Sequence, residues 1–478
     1  MKKRIEFGWA QTDITPSLPA PLAGQFHTRI SKGIMDPLTA TALAIRAEDD
    51  SEQAILVSLD ALWVADPTRD RVRALLAGAL PGFDPAKLVI GATHTHAAPS
   101  QVSRYFDYPV HGVPGILTQE AYAEFLAQKI AAICAEAWAA KRLGAFSYGR
   151  APAVVGHNRR AAYFSGESAM YGSTGRGDFS HVEGYEDHFL NALFTYDSEN
   201  ALTGMILNIA CPSQVSENID FISADYWHDV RREIRARRGQ ALFILPQCGA
   251  GGDQSPHIQV EQAAAERMQK LLGHGAAGTA RRNEIAMRVA GAVDALAPAL
   301  ARDIAYSAEF AHRTLSLTLP RYKITASDVE EYSKIAAAAE TDLEKLEASG
   351  ADKLSHDYSV AFRRASWYGR VEKNFKRQES RPDFTTESHV IRLGDAAFAT
   401  NRFEMYLDYA MRIKCRSKAV QTFVVQLCGE GTYLPTARAM AGGSYGAIAP
   451  SIKAGPEGGR ILVEETLRVL NSLFDNGQ

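Results

Sequence analysis

Short apolar runs alternate along this chain with longer amphipathic stretches, and this alternation limits the fold more than any other feature. The runs are rich in Val, Ile, Leu and Phe and end at Gly, Pro or polar residues, which is typical of buried strands. They read AILVSLDAL from residue 54, KLVIGA from 87, MILNIAC from 205, ALFILP from 241, VIRLGDAAFAT from 390 and QTFVVQL from 421. Stretches such as TQEAYAEFLAQKIAAICAEAWAAKR and NEIAMRVAGAVDALAPALA predict helices that pack on the sheets. The pattern predicts an α/β protein.

The segment from about residue 324 to 376 is charged and Ala-rich. Ser327 and Glu330 have the spacing of a capping box, so we expect one or two helices inserted here between strands. The segment holds no cluster of chemistry-bearing residues, and a solvent-facing layer is its expected role. A lid or an oligomer contact is left open.

The composition argues against two classes of partner. The formal net charge is -3 and the pI is near 6.5, so the chain lacks the basic surface that neutralises nucleic-acid phosphates. No apolar stretch approaches the ~20 residues that span a bilayer, so we expect no membrane insertion. The N-terminal MKKRIEFGWAQTDITP lacks the apolar region of an export signal, and the five cysteines are odd in number and widely spread. These features predict a cytoplasmic protein whose small-molecule substrate arrives in water.

Polar side chains follow the ends of the predicted strands. His94 and His96 follow LVIGA, Cys211 follows MILNIA, and Glu404 follows DAAFAT. The segment QCGAGGDQSPH follows ALFILP, and TYLPT follows VVQLCGEG. Because open α/β sheets bind ligands at the carboxyl ends of their strands, these residues are expected to share one pocket.

The pair His94 and His96 allows two interpretations. If the chain stays extended, residues two apart point to the same side, so both imidazoles could reach one metal ion or substrate. Alternatively, the two rings simply hydrogen-bond to loop carbonyl groups. The pair alone does not decide between them.

Several motifs, taken in order, resemble the catalytic domain of neutral (non-lysosomal) ceramidases, which are zinc amidases that split the amide of ceramide. They are TDITP, GIMDPLTATAL, VSLDAL, GATHTHAAPS, GHNRR, CPSQ, GGDQSP, NRFEMY, YLPT and GGSYGA, and they span about residues 8–452. The His-Thr-His and Gly-Asp-x-Ser-Pro elements are the most specific. The resemblance implies mixed β-sheets covered by helices, forming a single catalytic domain over residues 1–478. The family's C-terminal immunoglobulin-like domain is not expected.

The resemblance also implies a role for each matching residue. His96 would be the base for water, and Ser255 would act as a nucleophile or position the substrate. Arg159 and Tyr445 would stabilise the oxyanion. The zinc ligands would be His94, Cys211, Glu404 and Tyr433.

Cys211 stands where the family has its second zinc histidine. Thiolate is a good zinc ligand, so Cys211 is expected to bind the metal, although a metal-free site or another ion is also consistent with this change. The resemblance and the expected location together predict a zinc-dependent hydrolase of an amide or related acyl bond. The substrate would be small and polar, and a sugar conjugate is one candidate.

Other functions remain open on the sequence. The same residues could act as a metal-assisted lyase or glycoside-cleaving enzyme on a carbohydrate, because a base beside a polarised carbonyl can also drive elimination. A non-catalytic binding protein on the same fold is the other alternative, and an oligomer is possible. The GGSYG segment fits the serine-hydrolase elbow only formally, since no histidine follows His389. The glycines of CGAGGD lack the Gly-Lys-Ser/Thr of a nucleotide loop.

Overall fold

The computed structural model describes residues 2–103, 107–275 and 278–475. The strands in these ranges are β1 (Ile5–Asp13), β2 (Pro21–Leu22), β3 (Arg29–Ile30), β4 (Thr39–Ala47), β5 (Gln53–Leu59), β6 (Leu88–Ala92), β7 (Arg142–Pro152), β8 (His157–Asn158), β9 (Arg160–Tyr163), β10 (Ser168–Met170), β11 (Phe179–Val182), β12 (Phe189–Tyr196), β13 (Leu202–Ile209), β14 (Phe243–Cys248), β15 (Gln254–Ser255), β16 (Phe310–Pro320), β17 (Asp383–Leu393), β18 (Ala396–Thr400), β19 (Glu404–Met405), β20 (Gln421–Val425) and β21 (Tyr433–Leu434). The α-helices in these ranges are α1 (Asp66–Ala79), α2 (Gln119–Ala139), α3 (Tyr226–Arg238), α4 (Gln262–Leu271), α5 (Ala280–Leu300), α6 (Ala326–Ala348), α7 (His356–Gln378), α8 (Leu407–Arg416), α9 (Ala437–Gly442) and α10 (Pro456–Ser472).

Two large sheets organise the fold. One has eight strands in the order β14-β13-β12-β7-β1-β4-β5-β6, and the other has four in the order β16-β17-β18-β20. Most neighbouring strands are antiparallel, but β5 and β6, β13 and β14, and β18 and β20 are parallel. The sheets are therefore mixed, as expected. The smaller sheets are β10-β9-β11, β15-β8, β19-β21 and β2-β3.

The two large sheets pack face to face, and helices cover their outer faces. Alternate residues of β1, Ile5, Phe7 and Trp9, join Ile391 and Phe423 of the four-stranded sheet in one buried cluster. This alternation follows from the two-residue period of a strand. The outer face of the eight-stranded sheet packs on α1 and α2 near one edge and on α3 and α5 near the other. Helices α8 and α10 cover the four-stranded sheet, which gives four layers.

The predicted strands are present, and one of them is divided. VIRLGDAAFAT crosses from β17 into β18 through a turn at Gly394, whose φ of 63° favours glycine. Its two halves pair as an antiparallel hairpin. The remaining runs match β5, β6, β13, β14 and β20 to within a few residues.

The predicted helical insertion is also present, as α6 and α7, which pack on each other between β16 and β17. The capping box begins two residues earlier than predicted. Thr325 caps α6 by accepting from the backbone N–H of Asp328, and the Asp328 carboxylate accepts from the Thr325 N–H in return. The pair is not a purely solvent-facing layer, because Trp367 of α7 packs edge-on against Phe26 and lies 5.9 Å from the ring of Tyr445.

Among the described residues, no helix is both long and apolar enough to cross a membrane.

Candidate active site

The His-Thr-His element leaves the end of β6 in a different conformation from the one predicted. His94 has a φ of 64°, so the chain is not extended there. The two imidazoles nevertheless lie together, with ring centroids 5.0 Å apart. His94 Nδ1 donates to the carbonyl oxygen of Leu62 at 2.7 Å, which leaves Nε2 facing Oε2 of Glu404 at 3.4 Å.

Glu404 and Tyr433 are held side by side by the backbone. They are register partners in the parallel pair β19 and β21, which places their side chains on the same face. Burial alone would raise the pKa of the Glu404 carboxyl, but the nearby His94 and Arg159 outweigh it and the pKa is lowered. Burial and the charge of Glu404 together raise the pKa of Tyr433 well above its usual value.

Arg159 is a buried side chain of the site and not a surface residue. It follows β8, and its backbone N–H donates to the carbonyl oxygen of Asp253. Its guanidinium donates to the carbonyl oxygen of Gly252 and the hydroxyl of Tyr171, both at 2.9 Å, and to the hydroxyl of Tyr433 at 3.3 Å. A fixed positive charge therefore lies beside the Glu404–Tyr433 pair.

His96 sits behind His94 in a closed polar environment. The side-chain amide of Gln214 donates to His96 Nε2 at 2.9 Å, and Nδ1 lies 3.6 Å from a carboxylate oxygen of Glu217. Burial, and then the charge of His94 and of nearby arginines, lowers the pKa of His96 well below its usual value. The lowered pKa favours the neutral ring, with Nε2 accepting from Gln214.

Gln214 and Glu217 were not found as candidates from the sequence. Gln214 also accepts from Arg159 at 3.3 Å, so it links the base to the guanidinium. Glu217 accepts from His257 at 3.1 Å on its other oxygen. Gln214 belongs to the CPSQ motif, so this motif could have indicated it from the sequence.

Ser255 lies beside Tyr171, and within the described part of the chain its hydroxyl has no hydrogen bond to a histidine side chain. Its hydroxyl is fully buried, and it accepts from the Tyr171 hydroxyl at 3.3 Å and from the backbone N–H of His257 at 3.1 Å. Tyr171 in turn bonds to Arg159. These contacts suit a positioning role better than a nucleophilic one.

Tyr445 completes the aromatic side of the site. Its ring packs edge-on against Tyr433, with centroids 5.3 Å apart. The loop that carries it is held by Arg160, whose guanidinium pairs with Glu183 and donates to the carbonyl oxygen of Gly443. Burial raises the pKa of Tyr445, so its hydroxyl stays protonated and can donate.

Cys211 follows β13 as predicted, but its sulfur lies in the core. It belongs to the apolar cluster beneath α3 and α5, and Sγ contacts the carbonyl oxygen of Pro212 at 3.4 Å. Burial raises the pKa of this thiol well above its usual value. The contacts described for Sγ do not include His94 or Glu404, so its role as a metal ligand stays a prediction.

The approach of His94 to Glu404 fits a zinc ion, and Tyr433 lies in register beside Glu404. Zinc bonds of about 2.1 Å at a tetrahedral angle put two ligand atoms about 3.4 Å apart, and Nε2 of His94 lies 3.4 Å from Oε2 of Glu404. Since Nδ1 donates to Leu62, Nε2 is the His94 atom that is placed to bind a metal together with the Glu404 carboxylate. Three protein ligands with an open position are typical of catalytic zinc.

A second group of metal-binding type lies outside this site. His157, Glu186 and His188 have ligand atoms within 4.8 Å of one another, the one such His, Cys, Asp or Glu group among the described residues. Nδ1 of His157 faces Glu186 at 3.5 Å, and the Arg281 guanidinium lies 3.4 Å from the other ring nitrogen, Nε2. The sequence analysis did not identify this group.

Comparison with known proteins supports the fold. No protein-family model matches the sequence, and no curated protein matches it either. Among solved structures, the chain is similar to the neutral ceramidase from Pseudomonas aeruginosa, with a TM-score of 0.69 and 16% identity over 98% of this chain and 74% of that one. It is similar also to a ceramidase complexed with C2, with a TM-score of 0.69 and 14% identity over 99% of this chain and 76% of that one. The α/β fold is therefore neutral ceramidase-like, as the sequence motifs predicted.

Proposed function

We propose that this chain is a zinc-dependent hydrolase that cleaves an amide bond in a small-molecule substrate. The observation that carries the proposal is the 3.4 Å approach of His94 Nε2 to the Glu404 carboxylate, with Tyr433 in register beside it. A pure binding protein would have little reason to hold these donors next to a buried arginine and a neutral imidazole. The likeness to ceramidases supports amide hydrolysis as the reaction class.

The protein's own groups account for the charge and proton movements of hydrolysis. The oxygen of water joins the carbonyl carbon, the C–N bond breaks, and the leaving nitrogen gains a proton. His96 accepts the proton from water at Nε2, in place of the hydrogen bond from Gln214, and the lowered pKa of the resulting imidazolium favours returning the proton to the leaving amine. Arg159 and the Tyr445 hydroxyl stabilise the oxyanion, and removing one such donor typically costs ~100-fold in rate. His94, Glu404 and Tyr433 would hold zinc, which when bound supplies Lewis acidity and lowers the pKa of water.

A water-borne substrate suits this chain. The five cysteines are free thiols, which favours a reducing compartment such as the cytoplasm. We therefore propose a small, polar amide as substrate, with a sugar conjugate as one candidate. Ser255 would help to place it through Tyr171.

Elemental analysis and isotope labelling test the proposal together. Protein purified without chelator should contain about one zinc per chain. N-acyl amines, acyl sugars and uronate-containing glycosides would be screened in heavy-oxygen water, with products identified by mass spectrometry. Label in the product acid together with a free amine supports hydrolysis. An unlabelled, unsaturated product would show that the reaction is an elimination and not a hydrolysis. Purified protein that contains no zinc and takes up none when it is added would contradict the metal dependence.

A further inference from the structure

A cavity of about 380 Å³ opens onto the proposed site and carries an unusual excess of positive charge. Glu404, Tyr433 and Tyr445 form part of its lining, so the cavity and the site share a wall. The cations in its lining are Arg321, Arg370, Lys373, Arg377 and Lys453, and Glu404 is the one lining carboxylate among the described residues. The chain as a whole is slightly acidic, with a net charge of -3, so its composition does not explain this local excess of cations.

Three of the cations come from one face of the helical insertion. Arg370, Lys373 and Arg377 have spacings of three and four residues along α7, which stacks them on one side of the helix. Lys373 and Arg377 are exposed, and neither has a carboxylate within ion-pair distance in the described part of the chain. Lys376 of the same helix, which lies outside the lining, pairs with Glu372.

The lining has two further cations outside α7, and both lie beside an aromatic ring. The guanidinium of Arg321 lies 5.5 Å from the ring centre of Phe384, and the Lys453 ammonium lies 4.1 Å from it. Nε of Arg321 is buried without a hydrogen-bond partner. Both side chains place positive charge beside the same ring, and a bound anion would interact favourably with each of them.

The cavity is not purely polar. Ile324, Trp367, Val371 and Ile452 line it together with the cations. A cavity that combines apolar residues with cations beside a catalytic centre suits a ligand with a carbon chain and a negatively charged end. Arginine and lysine recognise carboxylate and phosphate groups in particular.

We propose that this cavity selects amides that carry an anionic group, a carboxylate or a phosphate, at a distance from the scissile bond. The inference rests on the proposed amidase function for its chemistry and adds the substrate class. The insertion α6–α7 is then the specificity element, because it supplies three of the five cations. This differs from the solvent-facing layer that the sequence predicted for it.

Three N-acetyl amides with the same eight-carbon chain on nitrogen test the charge directly. N-acetyl-8-aminooctanol is neutral, N-acetyl-8-aminooctanoate carries a carboxylate at the far end of the chain, and the O-phosphate of N-acetyl-8-aminooctanol carries a phosphate there. We expect kcat/KM to be at least about 10-fold higher for the preferred anionic amide than for the neutral one, and the preference to shrink at high salt. The two anionic amides distinguish a carboxylate from a phosphate.

Two double variants that remove the same charge test whether the preference for anionic amides comes from the cavity. Lys373→Gln with Arg377→Gln should remove most of the preference and leave kcat/KM for the neutral amide within about 2-fold. Arg364→Gln with Lys376→Gln removes the same charge from exposed positions of α7 outside the lining and should keep the preference. Equal kcat/KM for all three amides, or equal loss in both variants, would overturn the inference while leaving the hydrolase proposal standing.

Binding separates the two proposals if none of the amides is cleaved. Quenching of tryptophan fluorescence, to which Trp367 in the lining contributes, would be titrated with the same amides. Binding of an anionic amide at least about 10-fold tighter than the neutral one, lost only in the Lys373/Arg377 variant, would support the anion site although the amidase proposal had failed. No difference in binding would reject it.

Discussion

The backbone of Gly24 lies directly against the imidazole of His96. A Cβ atom added at Gly24 would lie 2.5 Å from Nδ1 of His96, closer than any real contact. We therefore expect Gly24→Ala to displace the His96 ring and to lower kcat by about 10-fold or more, since small misplacements of a catalytic group are costly. Steady-state kinetics measure this, and zinc content should not change.

Gly112→Ala is the matched control for this change. Gly24 and Gly112 both have positive φ, 100° and 75°, so alanine strains the backbone at either position. An added Cβ at Gly112 meets nothing within 4 Å. A similar loss of kcat in both variants would mean that backbone strain, and not the position of His96, causes the effect.

Metal content tests which of two groups binds zinc: the one with His94 and Glu404, or the one with His188. His94→Ala and Glu404→Gln should each reduce bound zinc from about one per chain to a small fraction, because each removes one of three proposed ligands. His188→Ala changes the other group and should leave zinc and turnover nearly unchanged. Elemental analysis of the dialysed variants checks this, and zinc lost only in His188→Ala would move the metal to the second group.

The two lines of evidence on Cys211 predict different roles. Its place in the sequence motif predicts a zinc ligand, whereas its environment in the structure predicts a core residue. With its sulfur in the core, Cys211→Ala should retain zinc and lose about 1 kcal/mol of the free energy of unfolding, as expected for a small core truncation. Zinc analysis and denaturant unfolding of the variant measure both quantities. If zinc were lost while the protein stayed folded, Cys211 would be a ligand, as the sequence motif implies.

The strands were predictable because their burial on both faces leaves a continuous apolar run in the sequence. The run of β6 is an example: Leu88 and Ile90 face the helices, and Val89 faces the second sheet. The hairpin between β17 and β18 was missed because a single Gly394 makes the turn inside one apolar run. The boundary of α6 was displaced because two Ser/Thr residues compete as caps, and Thr325 lies where the chain leaves its extended conformation.

The candidate site was predictable where a residue follows a strand and less so elsewhere. His94, Glu404 and Tyr433 lie together as expected, although the convergence of His94 with His96 depends on a left-handed residue and not on an extended chain. Tyr171 was missed because it lies in an irregular turn with a φ of 56°. The orientation of a side chain at a strand end, toward the site or toward the core, depends on packing partners distant in sequence. Cys211 shows that this information is not local.

The final prediction concerns stability against acid and a pair of histidines outside the site. Nε2 of His312 and Nδ1 of His389 lie 3.0 Å apart between β16 and β17, and both rings are buried. Burial, the neighbouring ring and Lys87 lower the pKa of His312 well below its usual value. Burial also lowers the pKa of His389, although Glu387 opposes this.

As the pH falls below about 6.5, the ordinary pKa of histidine, these two histidines bind protons in the unfolded chain but stay neutral in the folded chain. Stability is full above that pH and falls below it, by up to about 1.4 kcal/mol per pH unit for each such histidine. We expect His312→Gln to be less stable than the parent at pH 7.5 but to lose less between pH 7.5 and 5.5. Denaturant unfolding at several pH values gives the slopes. His181→Gln, at an exposed position, should keep the parental slope, and a parental slope in His312→Gln as well would show that the buried pair does not control acid stability.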